Sequence, residues 1–233
     1  MNPSTQKEAQ QLAHTIANVV DNKKGTVIIV PPALYIDTVK KEYTLVGMQD
    51  VSEYKAGAYT GQLSARMAKD KKIQYVIVGH SERRKYQNET DAQVAQKVLR
   101  AQEEKLIPII CIGEQKKINA SQAWNIIKKQ IDFIIPILQP NAKYIVAYEP
   151  VWAIGGGKEV NASYANEVIY RIKLYIRART KQIPLVLYGG SVDGKNIHTL
   201  LYYANNIDGF LVGSASVKQK EILSVIKTIY GHS

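Results

Sequence analysis

Cysteine is nearly absent: Cys111 is the single one in 233 residues. That excludes an intramolecular disulfide framework and fits a reducing compartment. Long apolar runs are missing too. None approaches the ~18 residues of a membrane span, and the opening MNPSTQKEAQ lacks the apolar centre of a secretory signal. The expectation is a cytoplasmic protein with no membrane partner. No Pro/Ser-rich linker or low-complexity tract divides the chain, so residues 1–233 are expected to form one domain. The four histidines show no ligand spacing to one another, and no metal site is expected. Zinc-finger spacing, an aromatic RNA-binding signature and a basic heptad helix are all missing. The 31 Lys and Arg against 20 Asp and Glu, a net charge of +11, therefore read as a solvated basic surface or as attraction for a small anion, with no nucleic-acid partner.

What is present is alternation. The capping pattern Thr5-x-x-Glu8 opens a helix whose face carries Leu12, Ile16, Val19 and Val20. The run Thr26 to Val30 follows, stopped by Pro31 and Pro32, as a strand buried on both faces would be. Further strand-like runs lie at Tyr43 to Met48, Ile73 to Val78, Ile107 to Ile112, Tyr144 to Ala147, Leu185 to Tyr188 and Gly209 to Val212. Helical patterns fall between them at Ala33 to Lys41, Ser64 to Lys71, Thr90 to Lys105, Ser121 to Ile135, Ser163 to Thr180 and Asn196 to Tyr203, with a last one at Val217 to Tyr230. The count is seven strands and eight helices, helix first. Strict alternation implies a parallel sheet with helices outside it. A doubly wound nucleotide-binding sheet would carry a glycine fingerprint after its first strand, and Val30 to Leu34 has none. In a barrel, chemistry collects at the C-terminal strand ends, where this chain has Gly79-His80-Ser81-Glu82, Gly113-Glu114, Glu149-Pro150, Gly189-Gly190-Ser191 and Gly213-Ser214. An α/β barrel is expected.

A histidine at such an end, His80, can polarise a carbonyl or shuttle a proton, although a single histidine can also be a structural hydrogen-bonder. Glu149 should direct its carboxylate into the barrel mouth, where partial desolvation suits a base; a salt bridge is the other reading. The tip Val151 to Lys158, apolar between a proline and three glycines, suits a lid. A phosphate loop of the nucleotide-binding kind is excluded, because Glu159 follows Lys158. The glycine turns Tyr188 to Val192 and Val212 to Ser216 occupy the barrel location where backbone N–H groups hold a phosphate. A barrel glycosidase needs two carboxylates facing one bond, and the rim motifs do not supply them.

Four of these stretches together resemble the triosephosphate isomerase family: Val78-Gly-His-Ser-Glu-Arg-Arg84, Ala147-Tyr-Glu-Pro-Val-Trp-Ala-Ile-Gly155, Tyr188-Gly-Gly-Ser-Val192 and Gly209-Phe-Leu-Val-Gly213. Cys111-Ile-Gly-Glu114 and Gly57-Ala-Tyr-Thr-Gly61 match as well, so the resemblance runs nearly end to end. It implies a TIM (β/α)8 barrel and interconversion of dihydroxyacetone phosphate and D-glyceraldehyde 3-phosphate through an enediolate, within glycolysis and gluconeogenesis. Glu149 would be the base and His80 the neutral electrophile. Gly155, Ser191, Gly213 and Ser214 would donate backbone hydrogen bonds to the phosphate, and Glu82 would support the site beside His80. No cofactor is implied. Family members are usually homodimers in which a protruding loop enters the partner's site region, and the matching tip surrounds Thr60.

Three departures stand out. Ser214 occupies a place where the family has a second glycine, and its Cβ would be unfavourable if φ were positive there. Gly156 replaces a lid threonine, which should make the open state easier to populate. The family's first strand ends in Gly-Asn-Trp-Lys-Met-Asn, whose asparagine and lysine belong to the site, and this chain starts at Met1-Asn2, just after that lysine. The expectation is a barrel lacking its first strand, from a truncated or mis-assigned start, with an open gap and exposed core side chains. A non-catalytic phosphate-binding or moonlighting barrel is the alternative.

Overall fold

Each apolar run is followed by a helix that carries the chain back to begin the next strand beside the last, so pairing is parallel throughout. The structure is a computed structural model and describes residues 2–154 and 161–232. Six strands form one sheet in chain order: β1 (Gly47–Met48), β2 (Tyr75–Val78), β3 (Ile107–Ile112), β4 (Ile145–Tyr148), β5 (Leu185–Tyr188) and β6 (Gly209–Phe210). The described helices are α1 (Gln6–Ala17), α2 (Ile36–Glu42), α3 (Ala65–Asp70), α4 (Ser81–Tyr86), α5 (Asp91–Glu103), α6 (Ala120–Ile134), α7 (Ala162–Thr180), α8 (Ile197–Tyr203) and α9 (Gln219–His232). Register sets Val78 opposite Ile110, Ile112 opposite Tyr148, and Tyr148 opposite Tyr188. Gly79, Gly113, Glu149 and Gly189 therefore share one rim.

Because strand side chains alternate, the sheet makes two apolar layers. Val76, Val78, Ile110, Ile112, Val146, Tyr148, Val186 and Tyr188 pack outward under the helices. Ile77, Ile109, Cys111 and Ala147 point inward with Val30, Leu187 and Leu211 around them. The same parity separates the two rim carboxylates. Glu149, two residues after Ala147, continues the inner face, whereas Glu114, two after Ile112, continues the outer one.

The expected count of seven strands and eight helices is corrected in two places. Among the described residues Thr26 to Val30 makes one parallel bridge, Ile29 to Val46, with Ile29 N–H donating to Leu45 O at 3.0 Å and Gly47 N–H to Ile29 O at 2.9 Å. Pro31 and Pro32 follow at once and have no N–H to extend the ladder. The additional helix is α4, in the polar run after His80. Six residues are too few for a periodic signal, and its N-cap is His80 in place of a usual capping residue.

Among the described residues β6 pairs only with β5, so side chains cover the opening between β6 and residues 26–30. Ile16 of α1 packs against Ile222 and Ile226 of α9, with Val27, Ile29 and Val212 beneath them, and the first and last helices thereby meet. The expected exposed gap is thus partly filled: Val30 and Leu211 remain only partly buried.

Near the rim, Lys97 of α5 is buried between Asp50, at 2.7 Å and 2.8 Å, and Glu89, and Arg83 of α4 reaches Asp50 at 3.0 Å. The cluster anchors α4 to α5 and to the loop after β1. Burial pushes the Asp50 carboxyl up, and the neighbouring Lys97 and Arg83 oppose that shift.

Candidate active site

At the end of β4 the inner-face position is Glu149, 2 % exposed. One carboxylate oxygen, Oε2, accepts the N–H of Ser81 at 2.9 Å. The other, Oε1, lies 3.1 Å from His80 Nε2 but without the alignment of a hydrogen bond, and has no donor among the described residues. Burial pushes the Glu149 carboxyl above its ordinary value; His80, the Ser81 N–H and Arg84 act in the opposite direction and do not cancel it. A carboxylate held this way takes a proton more readily than one in water.

The β2–α4 turn presents His80. Gly79 has φ +71°, which an L side chain rarely adopts, and a Cβ there would lie 2.8 Å from Val94 Cγ1. The turn brings the Glu82 N–H to 3.3 Å from His80 Nδ1. Since Nδ1 accepts, the ring proton of the neutral imidazole belongs on Nε2, the nitrogen facing Glu149. Glu82 contributes through this N–H, while its carboxylate is 61 % exposed and 3.9 Å from Nδ1.

The two glycine turns come together because β5 and β6 are neighbours. Asn196 Nδ2 donates to Ser191 O at 2.9 Å, leaving the Ser191 N–H out of that bond. Gly213 precedes a 3-10 turn, Ser214–Val217, and its carbonyl accepts both the N–H and the hydroxyl of Ser216, at 2.9 Å and 2.6 Å. Ser214 lies inside that turn and is not among the residues with positive φ, so its Cβ carries no conformational penalty. Gly155, the lid centre Gly156 and Lys158 lie outside the described residues.

Sequence reasoning assigned no role to Glu114, which is fully buried. Its carboxylate accepts from Trp152 Nε1 at 2.7 Å, Tyr164 Oη at 3.0 Å and Tyr148 Oη at 3.1 Å. Its backbone carbonyl accepts the Val151 N–H at 3.0 Å. Burial raises the Glu114 carboxyl despite these donors, and burial first and the Glu114 carboxylate second push the Tyr148 and Tyr164 hydroxyls up. This cluster ties the ends of β3 and β4 to α7 and to the turn Val151–Ala153, which leads into residues 155–160. Tyr164→Phe should cost about 1–2 kcal/mol in urea unfolding, because a buried carboxylate loses a donor; an unchanged midpoint would show that another group takes its place. The donors are scattered between positions 148 and 164, with no spacing that would have revealed them.

A family model described as triosephosphate isomerase matches residues 1–229. A protein of Herminiimonas arsenicoxydans named triosephosphate isomerase is 38% identical over 237 aligned positions, covering 97% of this chain and 95% of that protein. Proteins of the same name from Alkaliphilus oremlandii and Delftia acidovorans are 38% and 40% identical, covering 94% and 86% of this chain and 93% and 84% of their own lengths.

Proposed function

The chain belongs to the triosephosphate isomerase family, and from that premise we propose that it interconverts dihydroxyacetone phosphate and D-glyceraldehyde 3-phosphate with Glu149 as base and His80 as electrophile. The observation that carries this reading is the buried Glu149 carboxylate, raised in pKa, with His80 Nε2 at 3.1 Å from it. In the forward direction Glu149 takes a proton from C1 of the ketone, and the C–H electron pair moves into a C1–C2 double bond. The C2 oxygen gains negative charge, which the Nε2–H of His80 stabilises by hydrogen bonding. Return of the proton to C2, and movement of a proton between the two oxygens through His80, gives the aldehyde. No net redox change occurs. The N–H groups of Ser191, Gly213 and Ser214, together with Gly155, would hold the phosphate; glycine turns beside a helical start suit an anion.

The same reading makes the protein a homodimer of the cytosolic glycolytic route. In its support, Tyr54 and Tyr59 stack with ring centroids 3.8 Å apart beside the Thr60 tip, and Leu63 and Met67, close after it in the chain, are exposed apolar side chains. Sedimentation should return twice the 26.1 kDa chain mass, and a monomer at micromolar concentration would remove the dimer from the reading. The reaction itself is tested in D2O: glyceraldehyde 3-phosphate formed from dihydroxyacetone phosphate should carry deuterium at C2. Product without deuterium would exclude exchange of the abstracted proton with solvent. Absence of any isomerisation would overturn the assignment for this chain.

A further inference from the structure

The second arginine of the rim motif, Arg84, lies behind His80 and has no part in the chemistry described above. Its side chain is 14 % exposed and each of its three nitrogens meets a different element. Nε donates to the Gly79 carbonyl at 2.8 Å, Nη1 to the Asp91 carboxylate at 2.5 Å, and Nη2 to the Cys111 carbonyl at 3.4 Å. Gly79 follows β2, Asp91 opens α5, and Cys111 is an inner-face residue of β3 two positions before Gly113. The left-handed Gly79 has turned its carbonyl toward the guanidinium, so the bond is made at the residue that sets where His80 begins.

We propose that Arg84 is a positioning residue for the isomerisation: its three-way hold on Gly79, Asp91 and Cys111 fixes His80 Nε2 and the Ser81 N–H relative to Glu149. The proposal deepens the assignment of Glu149 and His80 and rests on it. Three features favour it over a purely structural role. The guanidinium fork has a fixed planar geometry, so occupying three acceptors at once defines the turn more tightly than a flexible ammonium can. The Gly79 carbonyl that it holds is one residue from His80 and two from Ser81, the groups that touch Glu149. Its charge is also directed at the site: Arg84 draws the Glu149 carboxyl downward against the rise that burial causes. The other groups facing Glu149 are His80 and Ser81 from the β2–α4 turn and the Cys111 thiol of β3, with Gly189 backing it from β5.

The test is a set of three variants read by kcat, KM and the pH profile of kcat/KM. Arg84→Met should lower kcat about 10²-fold, the loss expected from a displacement of roughly 1 Å between reacting groups. KM should change less than about threefold, and the acid limb of the profile should move to higher pH, because the cation that favours the ionised carboxylate is gone. Arg84→Lys should return the acid limb toward its original place but recover only part of kcat. Asp91→Asn loosens the fork without removing its charge and should lower kcat by less than Arg84→Met with the acid limb unmoved. Should Arg84→Met fail to fold, the other two variants carry the test. Full kcat in Arg84→Lys and Asp91→Asn, or a folded Arg84→Met with unaltered kcat and pH profile, would overturn the proposal. Glu149→Gln, measured alongside, separates the two readings. If it retains turnover the base assignment fails, whereas if it alone loses turnover only the role of Arg84 fails.

Discussion

Glu149→Gln should lower kcat by about 10²–10⁴-fold, the range spanned by loss of a positioned general base, while making the protein more stable at neutral pH. Glutamine matches glutamate in size, and its carbonyl oxygen can accept the Ser81 N–H that now reaches Oε2 at 2.9 Å. Binding should therefore survive, with KM changed little. The stability gain follows from the raised carboxyl, whose ordinary value is 4.5. Below that pH the group is protonated in both folded and unfolded chains and has no effect. As pH rises the unfolded carboxyl ionises first, so the folded state loses stability until its own Glu149 has ionised. Glutamine does not titrate. The variant should thus match the parent in acid and exceed it increasingly above about pH 4.5. Urea unfolding at pH 4 and pH 8 reads the difference. An equal gain at both pH values would show that burial of charge is not its source, and undiminished turnover would show that Glu149 is not the base.

Gly113→Ala should damage folding and catalysis together. A Cβ on Gly113 would overlap the Glu149 carbonyl oxygen and come within 2.6 Å of its carbonyl carbon and 3.2 Å of its nitrogen. Neither partner can withdraw. Glu149 N–H is bound to Ile112 O at 2.8 Å, and Gly113 is clamped by Gln130, which accepts its N–H at 2.8 Å and donates to its carbonyl at 3.1 Å. Forced overpacking costs typically 1–3 kcal/mol, and contact with fixed backbone puts this site at about 3 kcal/mol. Catalysis suffers further, because the strand end that must move is the one carrying Glu149; a shift of about 1 Å there costs about 10²-fold in kcat. Thermal unfolding and steady-state kinetics measure the two effects. If the variant kept both, the β3–β4 rim would be looser than these distances require.

These two residues differ in how far the sequence announces them. Glu149 stands alone after a strand of apolar residues, and its position at a strand end was enough to mark it. Gly113 sits equally visibly after Ile112, yet nothing in its neighbours says that Glu149, 36 positions on, has its backbone against it. Glu114 and Arg84 were readable only as polar residues in rim turns. Their partners, Trp152, Tyr148 and Tyr164 for one and Gly79, Asp91 and Cys111 for the other, come from separate elements.

Periodicity and turn chemistry are local, and they were sufficient for most of the order of strands and helices, the parallel sheet, the capping box at Thr5 and the strand ends at which His80 and Glu149 sit. Local signals also erred locally. Thr26 to Val30 reads as a strand but makes a single bridge, because a ladder needs N–H groups that Pro31 and Pro32 lack. The six-residue α4 is too short to announce itself. Strand parity could in principle have shown that Glu114 and Glu149 face opposite layers. What each carboxylate can do depends on what surrounds it. For Glu149 that is one N–H donor and the imidazole of His80; for Glu114 it is a shell of aromatic donors. Burial and hydrogen bonding set the pKa and the mobility of a carboxylate, and both depend on groups that folding alone brings within 3 Å or so of it.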